Sequence, residues 1–327
     1  MIDRRKQVRE WYGLDFPADL FAVWELAKEL RPRAPRDAFA SIALHLDGIF
    51  DVLAGQFDRK PPDGPLWTHG MSYQDPPEFF TIFWGECDGF HFGLWFDDPV
   101  EPPSCIVSYY NNDAHDLEPY PTNLFLTLRR ELEYCYENTM EEPDADATFN
   151  RKQLREYDRL REALRPRMPG NTRRRKQIGQ EYLERYTDTD VDNSKVVAQT
   201  WGRECIAAPP ALYREPPADD ETIWREVRTS GGAARWLKRA SQALQDGYPA
   251  TALKLGKDIW QLAPRKAATE ACAVMEAAYN GLGRPLLAQV LRAPTAARSL
   301  GCKPDWVNLK PKHLATKGCA VPEKRKK

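Results

Sequence analysis

Three runs close together in the chain, FFTIFWGE (79–86), FHFGLWFDD (90–98) and CIVSYYN (105–111), are rich in aromatic and β-branched residues. Gly85, Gly89, Pro99, Pro102 and Pro103 punctuate them. Such side chains suit a pleated, buried backbone and glycine and proline interrupt it, so the spacing predicts three strands joined as an antiparallel meander. A sheet of this kind must be covered, and helical stripes lie on either side of it in sequence. Leu20, Val23, Trp24, Ala27 and Leu30 follow a 3.6-residue period after Pro17, whose missing N–H suits a first turn, and Pro32 ends the stripe. Phe125, Leu128, Leu132 and Cys135 mark a second helix from about residue 123.

Beyond residue 150 the strand signal fades. Leu154, Tyr157, Leu160 and Leu164 give a charged helix stopped by Pro166 and Pro169, and KVVAQTW (195–201) adds one strand. From 220 onward helices dominate, with stripes through Trp236, Ala240 and Ala243, through Leu255, Ile259 and Leu262, and through Ala271, Met275 and Tyr279. Gly247, Pro249, Pro264 and Gly281 fall at the joints. The expected fold class is α+β: an N-terminal antiparallel sheet with flanking helices, followed by a mainly helical C-terminal domain.

At 327 residues the chain is long enough for two domains. Charge marks where they divide. Residues 71–150 carry 17 Asp/Glu against Arg129 and Arg130 alone and hold 16 of the 36 aromatic residues, whereas residues 151–176 carry 11 Lys/Arg against three acids. The two segments are expected to face each other or to mark a boundary near 150, giving units at 1–150 and 151–302 and a basic tail at 303–327. The whole chain is nearly neutral, at −1, which removes the bulk electrostatic case for a nucleic-acid or membrane-surface protein. No apolar run reaches the roughly 18 residues of a membrane span, and MIDRRKQVREWYG lacks the apolar stretch of a secretory signal. Seven scattered cysteines without a C-x-x-C pair read as reduced thiols of a cytosolic or nuclear protein.

The familiar catalytic patterns are incomplete here. Asp188, Asp190 and Asp192 begin like a calcium loop, but Asn193 stands where the turn needs glycine and Gln199 where a bidentate glutamate belongs. Cys87 and His91 have the spacing of a metal pair without a second pair, so His91 reads as a half-buried sheet residue. Gly281 and Gly283 do not extend to a dinucleotide fingerprint, and neither a phosphate loop nor a G-x-S-x-G elbow occurs. Glu131 and Glu133 form an E-x-E pair on a helix whose alternate residues point to different sides, which reads as a solvated face. These patterns lead to an expectation of no metal, no cofactor and no self-contained chemistry.

Five blocks in order do carry information. WYG-L-D-FP-A-D-LF-A-VW spans Trp11 to Trp24, FDVLAG spans Phe50 to Gly55, and DPPEF spans Asp75 to Phe79. SKVVAQTWG (194–202) is followed by YREPP, Tyr213 to Pro217, and LKLGKDIW covers 253–260. Together, over roughly residues 9 to 262, they resemble the histone PARylation factor 1 family. The resemblance implies a protein that is not an enzyme alone but docks on the catalytic domain of a poly(ADP-ribose) polymerase or related ADP-ribosyltransferase, completing its active site and redirecting transfer to serine. It implies that Tyr213 and Arg214 form a docking element. Aligned back without gaps from LKLGKDIW, Asp246 falls where the family has its catalytic glutamate and Gln245 where it has an aspartate. Asp246 is then the general base donated in trans to the partner, although aspartate is shorter than glutamate by one carbon–carbon bond, about 1.5 Å. Histones or ADP-ribose are the further partners implied in a eukaryotic cell.

Each of these residues also has a plainer reading. Arg214 can be a surface arginine paired with Glu215 or Glu221, and Asp246-Gly247 is ordinary turn chemistry between two helices. The acidic, aromatic segment suggests an alternative function, a non-catalytic binding module such as an immunity-type protein against a basic toxin. Arg173, Arg174, Arg175 and Lys176 lack interleaved aromatics and read as a solvated linker rather than a nucleic-acid surface. Arg-, Ala- and Pro-heavy usage points to a GC-rich, bacterial genome and a cytoplasmic site; a eukaryotic source would make it nuclear.

Overall fold

The computed structural model describes residues 3–62, 65–72, 75–111, 116–141, 147–169, 175–178, 196–214, 220–263 and 265–299. Asp188, Asp190, Asp192, Arg173, Arg174, Glu215 and the tail 303–327 lie outside the described residues.

The meander is present and longer than its three aromatic runs. Strands β1 (Leu44–Leu46), β2 (Phe79–Gly85), β3 (Phe90–Trp95), β4 (Cys105–Tyr110) and β5 (Glu118–Tyr120) form one antiparallel sheet in chain order. Alternation divides its side chains between two faces. Phe80, Phe92, Leu94 and Ile106 join the large core formed with the helices, while Phe79, Trp95, Val107 and Tyr109 form a second cluster on the opposite face. Both faces are covered, which is why the strands are aromatic almost throughout.

The covering helices are α1 (Arg4–Tyr12), α2 (Ala18–Leu30), α3 (Ile49–Leu53), α4 (Leu124–Glu141) and α5 (Ala147–Leu164). Pro17 caps α2 from just outside rather than entering its first turn. Phe50, Val52 and Leu53 of the FDVLAG block are buried in the large core, as their apolar character requires. That core extends beyond residue 150 to Tyr157, Leu160, Leu164 and Met168. Here the acidic and basic segments meet: Arg161 of α5 reaches Glu133 of α4 through Nε at 2.8 Å and Nη2 at 2.9 Å.

A bulge between Thr81 and Phe83 in β2 lies where two loops press against the strand. Thr81 Oγ1 donates to the Gly70 carbonyl at 2.8 Å, and Gly48, at φ 57°, is so close that a Cβ there would lie 2.3 Å from the Thr81 carbonyl oxygen. Gly48→Ala therefore meets both a backbone clash and an unfavourable dihedral; a loss of about 2–3 kcal/mol in urea unfolding is expected.

The second half begins with a hairpin, β6 (Val196–Gln199) and β7 (Cys205–Ala208), followed by α6 (Asp220–Val227), α7 (Gly232–Gln245), α8 (Pro249–Leu262), α9 (Arg265–Gly281) and α10 (Pro285–Ser299). Trp236, Leu253, Ile259, Trp260, Met275 and Tyr279 fill a separate core. The two halves join through a buried charge cluster. Lys257 of α8 lies 2.8 Å from Glu78 Oε2, just before β2, and 2.6 Å from Glu204 Oε2 in the β6–β7 turn. Tyr279 donates to the other Glu78 oxygen at 2.7 Å, and the ammonium sits 5.2 Å from the centre of the Trp95 ring. Burial pushes the Glu78 carboxyl upward against the opposing pull of Lys257, whereas for Lys257 the carboxylates of Glu204 and Glu78 outweigh burial and hold the ammonium above its ordinary value.

Candidate functional site

Helix α7 ends at a turn dictated by its residues. Asp246, with φ −77° and ψ −1°, donates its N–H to the Gln242 carbonyl, and Tyr248 donates back to the Ala243 carbonyl at 2.8 Å. Gly247 takes φ 87°, the left-handed conformation glycine adopts without penalty, and Pro249 then opens α8. Three residues thus connect two helices, and the Asp246 side chain stands at the exposed end of the pair.

The Tyr-Arg segment arrives from β7 through a 3₁₀ turn at Pro210–Leu212. Tyr213 is 8% exposed, and its hydroxyl donates to the Ile206 carbonyl; burial pushes the phenol up to about 12. Tyr213 therefore anchors the segment in the core. Arg214 is pinned through its backbone, whose N–H donates to Thr251 Oγ1 in the first turn of α8 at 2.8 Å. Its side chain extends over the surface to Asp246, with Nη1 2.9 Å from Oδ2 and side-chain exposures of 56% and 35% for the two residues. The ion pair joins Arg214 to Asp246, not to Glu221 as its neighbourhood in sequence suggested. Gln242 occupies the other carboxylate oxygen, donating Nε2–H to Oδ1 at 2.8 Å.

Two residues separated by 32 positions thus form one exposed cation–carboxylate site. Such pairs add only about 0–1 kcal/mol to stability, so its interest is chemical. Arg214 gives one of its five N–H donors to Asp246, and each Asp246 oxygen retains a lone pair that can accept a proton. Sequence reasoning missed Thr251 and Gln242. Only the four-residue step from Gln242 to Asp246 hinted at a contact.

Two further polar motifs, His91 and the Glu131–Glu133 pair, are buried in the sheet half. His91 is wholly buried rather than half-buried, its ring held by the Gly89 carbonyl at 2.7 Å and Asp75 Oδ1 at 3.0 Å. Cys87 is exposed, so the two do not form a metal pair, and among the described residues no cluster of three or more His, Cys, Asp or Glu could hold a metal ion. Glu131 and Glu133 are not on a solvated face, being 8% and 0% exposed. The helical period placed them among polar neighbours, but Tyr120 from the sheet edge and Arg161 from α5 cover them.

Burial pushes the Glu131 carboxyl from 4.5 up to about 7, against the Tyr120 hydrogen bond that favours the anion. Its folded value exceeds its unfolded one, so the neutral form's stability is full below about pH 4.5 and is lost as pH rises through 7. Glu131→Gln should stabilise the chain by up to about 3 kcal/mol at pH 8 and leave it unchanged at pH 4, measured by urea unfolding at both pH values.

The architecture is thus that of a sheet-and-helix unit fused to a helical unit bearing an exposed arginine–aspartate pair. The model of the histone PARylation factor 1 family matches residues 3–180, and the chain belongs to that family. Histone PARylation factor 1 of Mus musculus is 27% identical over 318 residues, spanning 91% of this chain and 87% of its own length. The Bos taurus protein of the same name matches to the same extent, and that of Danio rerio is 28% identical over 128 residues, 38% of this chain and 37% of the relative. These relatives are from animals and give no support to the bacterial source suggested by residue usage. No helix among the described residues is long and apolar enough to cross a membrane.

Proposed function

We propose that this chain is an accessory factor in histone PARylation that docks on the catalytic domain of a poly(ADP-ribose) polymerase and completes its active site for transfer to serine. The observation that carries the reading is the exposed contact between Arg214 and Asp246. Arginine's planar fork suits a partner's carboxylate or carbonyl oxygens, with Tyr213 fixing the backbone beneath it. Asp246 supplies what serine lacks. The hydroxyl is a poor nucleophile at neutral pH, and a carboxylate that takes its proton as oxygen attacks the ribose carbon, with nicotinamide leaving, contributes about 10²–10⁴-fold. The chain performs no turnover unaided in this reading. The relatives are named as histone PARylation factors, which supports histones as the acceptors and a nuclear site of action.

The test is serine ADP-ribosylation of a histone-tail peptide by a poly(ADP-ribose) polymerase with and without the chain. Serine modification should appear only when the chain is present, and Arg214→Ala should raise the concentration for half-maximal effect by about tenfold or more, the loss typical of an interfacial anchor. Serine modification independent of the chain would overturn the reading.

A further inference from the structure

We propose that Gln242 is the positioning residue of this site, holding Asp246 in its proton-accepting orientation once Arg214 has been engaged by the partner. This rests on the reading of Asp246 as a general base. In the free chain the carboxylate is held from two sides, by Arg214 at Oδ2 and by Gln242 at Oδ1. These supports differ in origin. Arg214 belongs to the docking segment, is the more exposed member of the ion pair, and carries the donors a partner's oxygens compete for. Gln242 lies one turn back on α7, the helix that Asp246 itself terminates, so docking leaves their spacing unchanged.

Orientation matters more for aspartate than for glutamate here. The shorter side chain has about 1.5 Å less reach, and a general base must come within roughly 2.6–3.2 Å of its proton. A carboxylate that loses its arginine and swings freely forfeits that distance for much of the time. The Gln242 amide donates one N–H to Oδ1 and leaves the outward lone pairs open, and being neutral it does not compete for the serine proton.

The experiment titrates the full-length chain into a polymerase, NAD and serine-peptide assay, reading the half-saturating concentration, which reports docking, and the plateau rate, which reports transfer. Gln242→Met keeps the length and removes the donor; its plateau should fall about tenfold with half-saturation within about twofold of the parent, since small misplacement of a reacting group costs up to about 10²-fold. Gln242→Lys restores a donor of similar reach and should recover at least half of the plateau. Gln242→Glu keeps the shape but sets a second carboxylate against Asp246 and should fall lowest. Thermal melts of all three should match the parent within a few degrees.

A Gln242→Met plateau equal to the parent, under conditions where Asp246→Ala is inactive, overturns the positioning role and leaves the proposed function standing. So does a Gln242→Lys variant no better than Gln242→Met. A parent chain that never elicits serine transfer overturns both.

Discussion

Replacing Lys257 with methionine is expected to destabilise the fold by about 3–5 kcal/mol, the cost of leaving buried charge without its partner. The ammonium lies within 2.8 Å of Glu78 and 2.6 Å of Glu204, and all three side chains are at most 2% exposed. Methionine fills most of the volume but leaves two carboxylates facing each other across an apolar junction. The fold's remaining recourse is to protonate Glu78, whose carboxyl burial already pushes upward. A carboxyl raised in the folded state loses its stabilising neutral form as pH rises, so the Lys257→Met defect should be smaller at pH 5 than at pH 8. Urea unfolding at both pH values reads this directly. A Lys257→Met/Glu78→Gln/Glu204→Gln variant should regain most of the loss at pH 8; if the single variant unfolds at the parent's midpoint, the cluster does not join the halves energetically.

Asp246→Ala is expected to reduce serine transfer by at least about 10²-fold with half-saturation within a few-fold of the parent, because it removes the proton acceptor and leaves the Tyr213–Thr251 anchoring of Arg214 in place. Asp246→Glu restores the missing bond length and should match or exceed the parent. Site-resolved mass spectrometry of the acceptor peptide provides the measurement. Full serine transfer by Asp246→Ala would remove the carboxylate from the mechanism and reduce the site to a contact face.

The aromatic strands were legible because alternation, β-branching and intervening glycine and proline agree over β2, β3 and β4. The three-residue strands β1 and β5 are too short to show a period. Helix α1, RRKQVREWY, hid behind its charge, with Val8 and Tyr12 its only buried residues. The partner of β6 was missed because Cys205–Ala208 is four residues of weak pattern, paired through a turn that sets Arg203 at φ 59°. The Asp246-Gly247 turn could be read from two letters, since only backbone chemistry decides it. The Arg214–Asp246 contact could not, because it depends on where a segment 32 residues earlier settles on α8. The joining cluster was more remote still, with Glu78 and Lys257 separated by 179 positions. The charge inversion at 150 located the contact between Arg161 and Glu133, while the first hydrophobic core runs on to Met168.

Helix α8 receives Arg214 at Thr251 and grips Glu78 at Lys257, six residues later, a rise of about 9 Å along one cylinder. A load applied at the arginine is therefore passed along a single rod to the start of β2, inside the aromatic sheet. The exposed arginine and the buried charge cluster are thus held at a spacing set by less than two turns of one helix, and a substitution that loosens the buried end is felt at the exposed one without touching it.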